Sequence, residues 1–291
     1  MNISKKQILC IMIVLLVLIA GGAVAYRGWL LYNENKAESE YKETSTFVKA
    51  HVLQETGEVT EKTESSEAVE EDKTEIFLNT GDNRKKYGYY LKNAVPDFDS
   101  LSEMNSDVIA FVTIPETEIS YPILQNDDDA FYLRHSFSKN DNTFGAIYIE
   151  NCNLPDFSDP VTVVYGHHLS NGSLFGKLTE YKNKEYCEAN PYFIIYTKDS
   201  VNVYEIVTAS KYSTDHLLIS AFTEADDSGY REFVGISENL GPELVQKIKE
   251  YGGDKAYTTE SEVTKDDKIV ILSTCCDNST RRFLVVGKKI I

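Results

Sequence analysis

The sequence predicts an all-β fold with minor helices, an antiparallel barrel or sandwich. Three observations predict it. Eight short runs rich in β-branched and aromatic residues recur after residue 107, clusters of Asn, Asp, Gly and Pro separate them, and only two stretches between them have helical character. With 291 residues and 42% hydrophobic content, the chain can bury a sizeable core in one or two domains.

Taken in order, residues 8–26 are apolar or small and uncharged, with Lys5 and Lys6 before them and Arg27 and Trp29 after. At about 1.5 Å per residue such a run spans the hydrocarbon of a bilayer. Ala23-Val24-Ala25 also resembles a small-x-small cleavage site, so a secretory signal is the rival reading of residues 1–32 as a membrane anchor. The basic pair predicts a cytoplasmic N-terminus and an extracytoplasmic remainder. Residues 33–75 are dominated by Glu, Thr, Ser and Lys and read as an acidic spacer, with 34–48 able to continue the anchor as helix.

The folded domain, 76–291, opens with helical segments at 87–92 and 98–104. Strands are predicted over 108–114, 119–124, 145–149, 161–167, 192–196, 201–212, 269–274 and 283–286. The two helical stretches are 173–181 and 229–251, the second broken in two at Gly241-Pro242. The net charge of -17 excludes nucleic-acid binding, which needs a basic face. No Gly-rich phosphate loop is present, so nucleotide chemistry has no support.

Candidate chemistry concentrates at 268–287. The last two predicted strands flank a polar turn, with Cys275 and Cys276 before it and Arg281 and Arg282 after it. A thiolate attacks a carbonyl, and a fixed guanidinium lowers the thiol pKa or stabilises the oxyanion that develops. The base is supplied about a hundred residues earlier by His167 or His168, at the end of another apolar run. Alternation sets Cys275 on the face of Ile271 and Ser273 and Cys276 on the other, but both faces are apolar and do not say which cysteine faces a cleft. His167 shares a face with Val161, Val163 and Tyr165 and is expected to point inward. Each residue also has a structural reading: a cysteine packs as a small buried hydrophobe, a histidine serves as a hydrogen-bonded core residue. His135 is expected to be structural, and His51 and His216 to be surface residues. Cys152 and Cys187 are expected as free, half-buried thiols rather than a bridge. A zinc site from the two doublets is disfavoured, because neighbours on a strand point to opposite faces.

These residues carry a resemblance. Leu272-Ser273-Thr274-Cys275 followed by Arg282-Phe283-Leu284-Val285-Val286-Gly287, with Tyr165-Gly166-His167-His168 and Asn171-Gly172-Ser173-Leu174-Phe175 upstream, resembles a sortase of the class B branch. Residues 119–125, 131–137 and 145–149 are similar to that class's early strands, and the likeness covers roughly 107–291. It implies an eight-stranded sortase-type β-barrel and a membrane-anchored cysteine transpeptidase and peptidase, with no cofactor and no metal. It implies Cys275 as nucleophile, His167 as general acid/base, Arg282 as the group that positions substrate and stabilises the oxyanion, and Ser273 and Leu133 as substrate-lining. The implied partners are surface proteins with a C-terminal sorting motif and, as acceptor, an amine of peptidoglycan or a pilin lysine. A second thiol directly after the nucleophile departs from the pattern. Two other readings stand beside this one, a hydrolytic cysteine protease and a non-catalytic surface scaffold.

Overall fold

The computed structural model describes residues 5–45, 67–92, 94–228, 230–277 and 279–291. Helix α1 (Lys5–Ser45) contains one stretch, Ile11–Lys36, long and apolar enough to cross a membrane, and its side chains from Ile11 to Ile19 stand exposed. Beyond the apolar part α1 docks on the loop at 170–171, where Ser170 Oγ donates to Glu34 at 3.0 Å and Asn171 Nδ2 to Glu38 at 3.1 Å. Much of the predicted spacer, including His51, lies outside the described residues. Three further helices precede the barrel: α2 (Glu67–Leu78), α3 (Asn83–Lys92) and α4 (Phe98–Met104). Phe77 of α2 and Tyr87 of α3 touch each other and both pack edge-on against Tyr192, which fastens this lead-in to the barrel wall.

Nine strands follow: β1 (Val108–Thr113), β2 (Ser120–Gln125), β3 (Tyr148–Ile149), β4 (Val161–Tyr165), β5 (Tyr192–Thr197), β6 (Val201–Tyr212), β7 (Tyr257–Thr258), β8 (Ile269–Cys276) and β9 (Arg281–Lys289). Their order is β5-β1-β2-β3-β4-β8-β9-β6, and β5 pairs again with β6, so eight strands close into a barrel while β7 adds outside β6. The eight predicted runs are the eight barrel strands. The barrel is not wholly antiparallel as expected, because β2–β3 and β4–β8 are parallel.

The strands that carry the candidate chemistry are apolar on both faces, and the packing shows why. Val164, Val270, Leu272, Phe283 and Val285 fill the barrel interior. Val161, Val163, Ile269, Ile271, Leu284 and Val286 face outward and are covered by α6 (Leu240–Gly252) through Leu240, Leu244, Val245 and Ile248. Those four lie at helical spacing on one side of α6, the pattern of a helix laid on a sheet. The break expected at Gly241-Pro242 is not there. Pro242 sits in the first turn, where a missing N–H leaves nothing unpaired, and the described residues before Leu240 are not helical. The stretch predicted as helix at 173–181 is a 3-10 helix over Gly176–Lys182, followed by a short α5 (Lys184–Ala189).

Gly287 of β9 has no room for a side chain: a Cβ there would lie 2.3 Å from Phe193 Cε1 and 2.9 Å from Tyr204 Cβ. Gly287→Ala is therefore expected to destabilise the domain by about 1–3 kcal/mol, the usual size of overpacking. Thermal or denaturant unfolding of the two proteins measures it, and equal midpoints would contradict this account of the core.

Candidate active site

In a parallel pair both strands reach the same rim with their C-terminal ends. β4 and β8 pair from Val161↔Ile269 to Tyr165↔Ser273, so the next positions along, His167 and Cys275, come level. Two hydrogen bonds extend the tie past the last paired residues: Gly166 N–H donates to Ser273 O at 3.1 Å, and Thr274 Oγ1 donates to Gly166 O at 2.8 Å. Gly166 is required at this point. A Cβ would lie 2.4 Å from Ile147 Cδ1 and 2.6 Å from the Phe175 ring.

β8 and β9 are antiparallel neighbours, and Cys275 lies directly opposite Arg282. Both project from the outer face with Ile271 and Leu284, and Arg282 Nη1 donates to Cys275 Sγ at 2.7 Å. The doublet is thereby resolved. Cys276 turns to the other face, packs against the barrel core, and has its thiol pKa raised by burial and by the Asp277 charge. Cys152 is half-buried and Cys187 buried, both free, and burial pushes both thiols up to about 12. A guanidinium on Cys275 and a raised pKa on Cys276 make the first the better nucleophile.

His167 is half-buried, and its Nε2 lies 3.1 Å from Leu133 O. Burial lowers its pKa below the ordinary 6.5, and the Arg282 charge adds to the lowering, against a smaller raising effect of the Leu133 carbonyl. The ring does not point into the barrel, as the alternation led us to expect. Val161 and Val163, which share its parity, lie under α6, so His167 belongs to the outer face with Cys275 and Arg282. His168 takes the other direction, is exposed, and bridges to Leu174 through its backbone. A groove of about 760 Å³ opens beside His167, walled by Leu133, Arg134, Asn142 and Thr143, with Trp29 and Asn33 of α1 across from them. Leu133 is 41% exposed on this groove. Ser273 is only 2% exposed, so in this conformation it offers a substrate no surface.

Two residues that the sequence did not single out stand beside this rim. Glu150, just after β3, accepts from His216 Nε2 at 2.7 Å and from the Tyr165 hydroxyl at 3.2 Å. That pins the start of the long connection from β6 to α6 to the barrel wall. His216 is thus more than a surface residue: its hydrogen bond to Glu150 raises its pKa. No local pattern marks either residue, since the pair spans 66 positions. His135 is structural as expected, stacked on Phe131 at 3.9 Å with Nδ1 2.7 Å from Phe131 O. Among the described residues no three His, Cys, Asp or Glu side chains gather as a metal site.

A thiol under a guanidinium, level with a histidine on the rim of a closed barrel, defines a cysteine acyl-transfer enzyme. Comparison with known proteins gives the family. The Sortase domain model matches residues 112–290. Sortase B of Listeria monocytogenes (serovar 1/2a, strain ATCC BAA-679 / EGD-e) is 30% identical over 194 residues, which cover 65% of this chain and 72% of that protein. Among solved structures, sortase B of Clostridium perfringens superposes with a TM-score of 0.56 at 23% identity, covering 67% of this chain and all of that one. Sortase B from L. monocytogenes gives 0.53 at 29% identity, over 66% and 99%. The chain belongs to the sortase family and is a class B-like member, a cysteine transpeptidase.

The depressed pKa of His167 has a kinetic consequence. Protonating the neutral ring removes the base, so kcat/KM is expected to fall as pH drops through a value below 6.5. A pH profile with peptide substrate checks this, and an acid limb centred above 6.5 would contradict the burial assigned to the ring.

Proposed function

We propose that Cys275, His167 and Arg282 carry out transpeptidation as one unit, with the Arg282 Nη1 to Cys275 Sγ contact of 2.7 Å as the observation that carries the reading. The Cys275 thiolate attacks the carbonyl carbon of the scissile peptide bond in a sorting motif. The oxyanion draws the guanidinium N–H groups that hold the sulfur in the free enzyme. Collapse breaks the C–N bond, the leaving amine takes a proton from His167, and a thioester remains on Cys275. An acceptor amine then attacks the thioester, His167 takes its proton, and the thiolate is released as the new amide forms. Leu133 is placed to contact the peptide, since its side chain is exposed on the groove beside His167. Ser273 joins it only if binding opens the rim. Hydrolysis of the thioester by water makes the same enzyme a cysteine peptidase when no amine is at hand.

The partners follow from the same reading. The donor is a surface protein with a C-terminal sorting motif, and the acceptor is an amine of peptidoglycan. Sortase B has been crystallised from Staphylococcus aureus with substrate, and a sortase B in complex with triglycine, which supports a peptide donor and a short amine acceptor. Pilin polymerisation is the second reading. A class B sortase of Streptococcus pyogenes involved in pilus biogenesis, 28% identical and with a TM-score of 0.54, supports it. Residues 1–32 act as the membrane anchor, 33–75 as the spacer and 76–291 as the catalytic domain. Lys5 and Lys6 before the apolar stretch place the N-terminus in the cytoplasm and the active site outside.

Intact mass after incubation with sorting-motif peptides tests the proposal. The expected result is an acyl adduct of the N-terminal peptide fragment in the wild type and in Cys276→Ala, and none in Cys275→Ala. An adduct that survives Cys275→Ala would overturn the assignment. Arg282→Lys keeps the charge and loses the planar fork, and is expected to lower kcat/KM by about 10²–10³-fold.

A further inference from the structure

The β8–β9 hairpin carries two arginines with different surroundings. Arg282 faces the Cys275 thiol, whereas Arg281, opposite Cys276, leaves on the other face of the ribbon. On that side lies a cleft of about 920 Å³, separate from the groove beside His167. Its charged lining is Lys182, Lys184, Lys211, Lys255 and Arg281, against a single carboxylate, Asp254. Tyr251 and Tyr257 add ring walls.

Five cations in one concavity run against the composition of the chain, whose net charge is -17. Internal pairing accounts for only part of them. Lys211 is bonded to Asp277 at 2.7 Å and Lys184 lies 3.6 Å from Glu188, but Lys182, Lys255 and Arg281 make no ion pair among the described residues. They come from three different parts of the chain, the end of the 3-10 helix, the connection after α6 and the start of β9, so no single local run explains the cluster. Exposed charges are screened within about 8 Å at physiological salt, so the field of the acidic surface elsewhere does not cancel a cleft this concentrated.

We propose that this cleft binds the anionic body of the amine acceptor, a molecule carrying carboxylates some residues away from its nucleophilic amine. The inference rests on the transpeptidase reading and adds the chemical class of the second substrate. The donor peptide occupies the groove on the His167 side, which leaves the hairpin's other flank for the acceptor. An amine borne on three glycines reaches about 10 Å from an anchored carboxylate, enough to cross the two-stranded ribbon to a thioester on Cys275. The acceptor's bond to the thioester is then made as already described, with His167 taking the amine proton, and the cleft itself makes and breaks no covalent bond.

Two acceptor peptides test it, Gly-Gly-Gly and Gly-Gly-Gly-Glu-Glu, with the full chain in detergent. Binding is read first in Cys275→Ala by fluorescence anisotropy, where no chemistry intervenes. The anionic peptide is expected to bind at least about fivefold tighter at low salt, and the advantage is expected to vanish in K182Q/K255Q and at about 0.5 M salt. In the wild type the same peptide is expected to lower the acceptor KM by a similar factor, while thioester formation with donor peptide is unchanged by K182Q/K255Q. Equal binding of the two peptides, or a preference that persists in K182Q/K255Q, overturns the cleft. A preference present without any thioester on Cys275 overturns the catalytic reading instead, and the two failures are told apart in one set of samples.

Discussion

The catalytic rim depends on the parallel pairing of β4 with β8. Antiparallel neighbours joined by a turn would send His167 and Cys275 to opposite ends of the barrel. The parallel pair brings both C-terminal ends to one rim, and the bonds of Gly166 to Ser273 and of Thr274 to Gly166 carry the alignment to the reacting residues. Such a pair needs a long crossover, and here the chain between β4 and β8 supplies β5, β6, α6 and β7 before it returns. Arg282 needs no such device, because the β8–β9 hairpin sets it opposite the thiol by register alone.

The outer face of these strands serves two purposes along its length. From Ile269 to Ile271 it is apolar and sealed by α6, and from Cys275 on it carries polar chemistry. Burying the lower part fixes the strands against sliding, since a slip of one residue would exchange the two faces and turn Cys276 toward the groove. The Glu150–His216 bond fastens the connection that runs from β6 to α6 near the same rim. A half-buried histidine and a cationic neighbour keep the imidazole neutral, the state that can accept a proton.

Much of this was legible in the sequence, for reasons that differ by residue. The eight barrel strands were found because β-branched runs between turn clusters mark strands whatever their partners. Their closure into a barrel, and the two parallel pairings, were not, since pairing is a long-range property that local pattern does not encode. Cys275 and Arg282 came from the resemblance of their motif, whereas alternation alone left Cys275 and Cys276 equal, because both faces are buried. The side chosen for His167 was wrong for the same reason: an apolar face was taken for the barrel interior when it lies beneath α6. The helix break at Gly241-Pro242 failed because proline at a helix start and proline inside a helix look alike without the boundary. Glu150 and His216 had no local signal, and the basic cleft assembles single residues from distant parts of an acidic chain.

The central claim is that the parallel tie places His167 where it acts on Cys275. The rate of Cys275 alkylation as a function of pH, in the Cys276→Ala background with and without His167→Ala, tests it most directly. The account predicts two inflections with the histidine present, the lower one below 6.5, and a single thiol titration once it is removed. Identical profiles in the two proteins would show that the histidine and the thiol do not sense each other, and would contradict it.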